Sequence, residues 1–291
     1  MREIMSSRKI PAFARMTADG SFSCDCPAIL IWRFEMSFEN IKVEKKGHIT
    51  ILTIDHPPAN AWNLATMNDF EQAINDVEND KETRVVILTG AGEKCFSAGF
   101  DISDAANGQI IGAKGQELWK RIDRFSKPVI AAINGFALGG GLELALCCHF
   151  RIMAEGPKIT IGLTELNLGI IPGWGGTQRL MNVVGKAKAL DMILFSKKIG
   201  AQEALDIGLI NQASTRETLM DDALGFAQKL ADRAPIAVGC VLRAMSAGQY
   251  EGIDRGLEVE SEGSKTVSAS KDSVEGFTAF FEKREAKFTG E

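Results

Sequence analysis

The sequence is short of the parts that several common kinds of site depend on. It has three histidines, His48, His56 and His149. His56 precedes two prolines and His149 adjoins an apolar strand, so each reads as structural, and a Ser-His-Asp engine has little support. A nucleophile elbow around Ser97 would need glycine at position 95, where Cys95 stands. No G-x-x-x-x-G-K-[ST] loop occurs, since Gly185-Lys186 is followed by Ala187, and Gly139-Gly140-Gly141 misses G-x-G-x-x-G because Leu144 takes the last place. Those absences exclude the usual nucleotide loops. No apolar stretch approaches the ~18 residues of a membrane helix, which excludes a spanning segment. There is no excess of positive charge. Lys plus Arg total 33 and Asp plus Glu 38, a net charge of −5, so no broad attraction for nucleic acid or anionic lipid is expected. Of six cysteines, Cys24 and Cys26 form a lone C-x-C with no second pair of ligands nearby, so no metal is expected. Cys147 and Cys148 lie in an apolar helical stretch, where cysteine acts as a small hydrophobe. With no secretory signal, reduced thiols in the cytoplasm are the default. There is no low-complexity linker and no internal repeat.

What is present is ordinary globular material. The 291 residues and 31.5 kDa predict one large domain or two small ones. Apolar residues are 45% and charged residues 24%. Glycine is high at 29 of 291, about 10% against a usual ~7%. Residues 1–35 differ from the rest. Their apolar run Ala28-Ile29-Leu30-Ile31-Trp32 is too short for a signal-peptide core, and their acids argue against a transit peptide. They read as a mis-assigned start before Met36, or as a genuine extension or organelle presequence, poorly ordered in either case.

From Ile41 the pattern runs β, then α/β, then α. Ile41–Lys45 and Ile49–Ile54 alternate around Lys46-Gly47 as a hairpin. Thr66 can cap a helix carrying Met67, Phe70, Ile74 and Val77 at helical spacing. Arg84–Thr89 and Val129–Ile133 hold apolar runs suited to buried parallel strands. Leu142–Cys148 reads as a buried helix and Phe150–Ala154 as a strand. From about Lys186 helical periodicity dominates, through roughly Thr218–Arg233, Pro235–Ala247 and Asp272–Lys283. The result is an α/β core followed by helices.

Three glycine-bearing segments carry the chemistry. They are Phe96-Ser97-Ala98-Gly99-Phe100-Asp101-Ile102, Asn134 to Glu143 with its triple glycine, and Glu165 to Leu180, which holds Ile171-Pro172-Gly173-Trp174-Gly175-Gly176-Thr177-Gln178-Arg179-Leu180. Glycines opening a helix leave free N–H groups at the positive end of the helix dipole, an anion or oxyanion site. Glu143 follows directly among Leu142, Leu144, Ala145 and Leu146, and Glu165 again sits among apolar residues. A buried carboxylate is costly unless paired or protonated. Each alone reads as a buried acid satisfied by backbone donors; together, beside glycine turns, they look like an acid/base pair.

These segments, with the terminal Glu275-Gly276-Phe277-Thr278-Ala279-Phe280-Phe281-Glu282-Lys283-Arg284, resemble the crotonase superfamily of enoyl-CoA hydratases and isomerases over roughly residues 37–291. The resemblance implies an α/β, crotonase-like spiral of ββα units over 36–230 and a C-terminal helical trimerisation region over 231–291. It implies a homotrimer or a dimer of trimers. It implies an oxyanion hole from the N–H groups of Phe100 and Gly140, Glu143 and Glu165 as catalytic residues, and Gly173 as a holder of water. Ala98, Asp101, Ile102, Phe280 and Lys283 match positions that approach coenzyme A or the acyl chain, the last two sometimes from a neighbouring subunit. Ser103 stands where a lysine often follows the isoleucine, which puts that one contact in doubt. The implied activity is hydration of a trans-2-enoyl-CoA to a 3-hydroxyacyl-CoA in fatty acid metabolism, with coenzyme A as part of the substrate and no separate cofactor. An isomerase, or a dehydratase acting on a specialised acyl-CoA, is the alternative. Some relatives bind RNA through a lysine-rich helix, but the corresponding helix here carries Asp69, Glu71, Asp76, Glu78 and Asp80, which repel phosphate. Trp62, Phe100, Trp119, Trp174 and Phe280 are the bulky candidates for pocket walls, and core packing is the competing reading for Trp62 and Trp174.

Overall fold

The computed structural model describes residues 38–291, so the expectations for 1–35 lie outside the described residues. In chain order the first half holds β1 (Ile41–Lys46), β2 (Ile49–Ile54), α1 (Leu64–Asn79), β3 (Val85–Gly90), β4 (Cys95–Ser97), a 3-10 turn (Ile102–Asn107), α2 (Gly108–Asp123), β5 (Val129–Ile133), β6 (Phe136–Leu138) and α3 (Gly140–Cys147). The second half holds β7 (Phe150–Ala154), β8 (Ile161–Gly162), a 3-10 turn (Glu165–Leu168), α4 (Gly176–Val184), α5 (Lys186–Leu194), α6 (Ala201–Asp206), β9 (Gln212–Ser214), α7 (Leu219–Ala231), α8 (Pro235–Glu251), α9 (Ile253–Ser268) and α10 (Lys271–Glu282).

Two sheets organise these elements. The larger runs β1-β2-β3-β5-β7-β9, with β1 and β2 antiparallel and every later pairing parallel. The smaller is the parallel set β4-β6-β8. The chain therefore repeats one move: a strand in the large sheet, a short strand in the small one, then helix. β3, β4 and α2 make one such turn, and β5, β6 and α3 the next. Even the first turn follows it, because residues 59–62 run beside β4: Ala98 N–H donates to Ala59 C=O at 3.0 Å and Trp62 N–H to Gly99 C=O at 2.8 Å. The runs predicted as parallel strands earn that place by being apolar on both faces. Val85, Val86, Ile87 and Leu88 are wholly buried, with α7 packed against β2, β3, β5 and β7.

Local departures have local causes. The hairpin turn falls on Gly47-His48, because Lys46 still pairs with Ile49. Asn63, not Thr66, caps α1: its side-chain oxygen accepts from the Thr66 N–H at 2.8 Å, and the helix starts one turn earlier than Thr66 suggested. Thr66 is buried inside that helix. Trp119 packs edge to face on Trp62 and Phe70, and those two meet at a tilt of 58°, with centroids 5.0–6.0 Å apart and all three rings fully buried. Burying each is worth roughly 2–3 kcal/mol. Trp62 and Trp119 are thus core that braces the site rather than pocket wall.

In the helical portion α8 and α9 cross closely, Gly256 against Gly248, where an added Cβ would lie 2.7 Å from Gly248 Cα. α10 is capped by Ser270, whose hydroxyl accepts from the Ser273 N–H at 3.1 Å. Asp272, buried in its first turn, accepts from the N–H groups of Thr289 at 2.7 Å and Gly290 at 2.9 Å and so ties down the C-terminal tail.

Candidate active site

The site grows from the places where the small sheet turns into helix. β4 ends in Ser97, and Gly99 to Asp101 then run parallel to Trp62: Trp62 N–H donates to Gly99 C=O, and Asp101 N–H donates to Trp62 C=O at 3.1 Å. A parallel pairing of that register uses the groups on either side of Phe100 and leaves the Phe100 N–H facing away from the partner strand. β6 leads through Gly139, at φ +52 and ψ −127, into α3. Gly140 is the first helical residue, so its N–H has no intrahelical acceptor. Among the described residues neither N–H donates to a protein acceptor. The two strand ends lie against each other, and a Cβ on Gly99 would stand 2.6 Å from the Gly140 nitrogen. Two unengaged main-chain donors therefore share one locality at a helix N-terminus, where the helix dipole adds to their pull on negative charge.

Aromatic residues hold this backbone in place. Trp119 Nε1–H donates to Gly140 C=O at 3.2 Å. The Trp174 ring covers Gly140 so closely that a Cβ there would lie 2.2 Å from it. Trp174 packs on Trp119 at 5.1 Å and is itself 6% exposed.

Glu143 lies one helical turn beyond Gly140 on α3 and is 2% exposed. Its Oε1 accepts from the N–H groups of Trp174 at 2.8 Å and Gly176 at 2.7 Å. Gly175 between them has φ +97, the left-handed conformation that turns both N–H groups inward. Burial pushes the Glu143 carboxyl up to about 7. The two N–H donors and the Arg179 guanidinium hold it back, and the charge of Glu165 adds to the rise. Glu165 opens the 3-10 turn after β8. Its carboxyl lies beside Gly139, where a Cβ would be 3.3 Å from Oε1. Both carboxyl oxygens are buried without a hydrogen-bond partner. Burial lifts its pKa as well, and the nearby backbone of Glu165 and Thr164 offsets only part of that. One acid is cradled by donors and the other is bare, and burial raises the pKa of both.

Gly173 is exposed, its C=O accepts from Gln116 Nε2–H at 2.9 Å, and among the described residues its N–H donates to no protein acceptor. Phe100 is half-buried against the core, and Ala98 beside it is half-buried. Asp101 turns its carboxylate onto its own loop, accepting from the Ser103 N–H at 2.9 Å and hydroxyl at 2.7 Å. Ile102 is 65% exposed at the start of that turn. Phe280 and Lys283 sit elsewhere in the single chain. Phe280 is 76% exposed, stacks edge-on against Phe281, and borders a hollow with Phe277 and Phe288 that contains none of the residues above. Lys283 ends α10 in the left-handed conformation. His56 and His149 are structural: His56 Nδ1 pairs with Ala61 C=O at 2.7 Å, and His149 Nδ1 accepts from Val129 N–H at 3.0 Å with its pKa pushed down to about 4 by burial.

Sequence reasoning missed Arg179, Asp123 and Tyr250. Arg179 Nε–H donates to Asp123 Oδ2 at 2.9 Å, and its Nη1–H donates to the Trp174 C=O at 2.7 Å. The Tyr250 hydroxyl donates to the same Asp123 oxygen. Arg179 lies inside the third glycine-bearing segment, but its partners are far away in the chain and carry no local signal.

A family model described as enoyl-CoA hydratase/isomerase matches residues 44–291. The chain is 42% identical over 255 residues to a short-chain-enoyl-CoA hydratase of Clostridium acetobutylicum, covering 86% of this chain and 97% of that one. It is 40% identical over 259 residues to a crotonyl-CoA hydratase of Syntrophomonas wolfei, covering 87% and 99%. A crystal structure of an enoyl-CoA hydratase from Bacillus anthracis superposes with a TM-score of 0.83 at 38% identity, covering 87% of this chain and 100% of that chain.

Proposed function

The chain belongs to the enoyl-CoA hydratase/isomerase family, and from that premise we propose that it adds water across the 2,3 double bond of a short trans-2-enoyl-CoA to give a 3-hydroxyacyl-CoA. The observation that carries the reading is the pair of unengaged N–H groups, Phe100 and Gly140, beside two buried carboxyls. Relatives named for short-chain and crotonyl substrates support the short acyl chain.

In this reading the thioester oxygen sits between the two N–H groups. Glu143, half ionised near pH 7, accepts a proton from water as the water oxygen bonds to the β-carbon. The π electrons move towards the thioester carbonyl, and the main-chain donors stabilise the enolate-like oxygen. Glu165, its pKa raised by burial, is the acid of the pair in this reading and delivers a proton to the α-carbon. Glu143 ends protonated and Glu165 ionised, and exchange with solvent resets them. In this reading the Gly173 N–H, which donates to no protein acceptor among the described residues, helps hold the water. Asp101 and Ile102 border the coenzyme A entry, and no separate cofactor is invoked.

The assembly we propose is a homotrimer or a dimer of trimers, supported by the apolar side chains that α10 leaves exposed, Val274, Phe277, Phe280 and Phe281. Phe280 and Lys283 would then serve an acyl-CoA held by another subunit. A cytoplasmic setting is supported by free, buried Cys95, Cys147, Cys148 and Cys240. Among the described residues no helix is long and apolar enough to cross a membrane.

The test is turnover of crotonyl-CoA in oxygen-labelled water. One solvent oxygen should enter the product, and Glu143→Gln and Glu165→Gln should each lower kcat by ~10²–10⁴ with KM little changed. A product without solvent oxygen would point to isomerisation, and wild-type turnover in either variant would remove the two-carboxyl mechanism.

A further inference from the structure

Three consecutive peptides cradle Glu143. The first and third, Gly173–Trp174 and Gly175–Gly176, aim their N–H groups at Oε1. The middle one, Trp174–Gly175, turns its C=O away, and that oxygen accepts from Arg179 Nη1–H at 2.7 Å. The guanidinium lies against the loop so closely that a Cβ on Gly175 would be 2.1 Å from Nη1. Arg179 is fixed in turn. It pairs with Asp123 at the end of α2, and the two side chains are 12% and 14% exposed. Asp123 also accepts from the Tyr250 hydroxyl on α8, and Arg124 lies 4.9 Å over the Tyr250 ring. This chain of contacts links the helical portion to the loop that holds the acid on α3.

We propose that Arg179, clamped by Asp123 and Tyr250, is a positioning residue for the reaction: by fixing the Trp174 carbonyl it sets the two N–H groups that orient Glu143. The inference deepens the hydratase reading and rests on it. A forked guanidinium suits the task, because it reaches a carboxylate and a carbonyl at once from a rigid plane, as an ammonium would not. Its charge also faces Glu143. The other titratable groups around that carboxyl are Glu165, the Cys147 thiol one turn along α3, and, behind Arg179, Asp123 and Tyr250. The thiol and the phenol are both pushed up by burial and stay neutral. Removing the guanidinium therefore takes away the positive charge that favours the ionised form, and the Glu143 carboxyl then holds its proton more tightly.

The experiment compares the full chain with Arg179→Met and Tyr250→Phe. It reads kcat and KM on crotonyl-CoA, and the titration of the Glu143 carboxyl by infrared difference spectroscopy, with Glu143→Gln identifying the band. Arg179→Met should lower kcat by roughly 10–100-fold with KM nearly unchanged, the effect of a displaced catalytic group. It should also raise the Glu143 midpoint by about half a unit or more. Tyr250→Phe should move both in the same direction by less. A folded Arg179→Met with wild-type kcat and midpoint would overturn the proposal. If that variant does not fold, an unchanged midpoint and kcat in Tyr250→Phe would overturn it. A wild-type chain inactive on enoyl-CoA would sink the hydratase reading instead, while the infrared titration would still decide the role of Arg179.

Discussion

Replacing Glu143 by glutamine should stabilise the protein, and the gain should grow as the solution turns alkaline. The Glu143 carboxyl has an ordinary value of 4.5 and is pushed up to about 7 in the folded chain, chiefly because burial disfavours the charged form. Between those values the native state binds more protons than the unfolded state, so stability falls as pH rises through the window and levels off above it. Each unit corresponds to ~1.4 kcal/mol, which gives about 3 kcal/mol for the full window and roughly 2–3 kcal/mol between pH 5 and pH 7.5. Glutamine keeps an oxygen that can accept from the Trp174 and Gly176 N–H groups but carries no charge to desolvate. Glu165 titrates in both proteins, so its share largely cancels in the comparison. The assay is denaturant unfolding of both proteins at one protein concentration, near pH 5 and near pH 7.5. The variant should gain on the wild type by roughly 2–3 kcal/mol from the lower pH to the higher. An equal gap at the two pH values would refute the reasoning, because it would mean that the folded protein does not burden the ionised carboxyl.

The geometry supports two further outcomes. Gly140→Ala should lose hydration by at least ~10²-fold, since its Cβ would fall 2.2 Å from the Trp174 ring and one donor of the proposed oxyanion pair must move; steady-state kinetics beside a thermal melt check it, and wild-type kcat would contradict it. Asp272→Ala should cost about 1–3 kcal/mol, because the N–H groups of Thr289 and Gly290 lose the buried carboxylate that accepts from both. The loss should appear in denaturant unfolding, and faster amide exchange at those two positions should accompany it.

The parts that could be read from sequence are those whose signal is local. The apolar runs at Val85–Leu88 and Val129–Ile133 read as strands because they are short, continuous and rich in β-branched Val and Ile. The glycine segments carried the turn chemistry, and Glu143 and Glu165 stood out as acids among apolar neighbours. β4, β6 and β8 were illegible, since strands of three, three and two residues are too short to show a period. α2 was missed because Gly108, Gly112 and Gly115 interrupt its pattern; Gly115 is there because a Cβ would fall 2.5 Å from the Trp174 ring. α9 was missed because most of its surface is exposed and its apolar stripe is thin. The Arg179–Asp123–Tyr250 cluster joins residues from three helices, so only the folded chain reveals it.

α3 carries both the proposed oxyanion donor, at Gly140, and an acid, at Glu143, within a single turn. Each residue added to a helix rotates the downstream chain by about 100°. Inserting or deleting one residue between them would swing the carboxyl to another side of the axis and part it from Trp174 and Gly176. Their separation is therefore locked by helical arithmetic rather than by fine packing. A lineage adapting this scaffold to new acyl groups has its freedom in the surrounding turns, such as Ile102–Asn107, and almost none between residues 140 and 143.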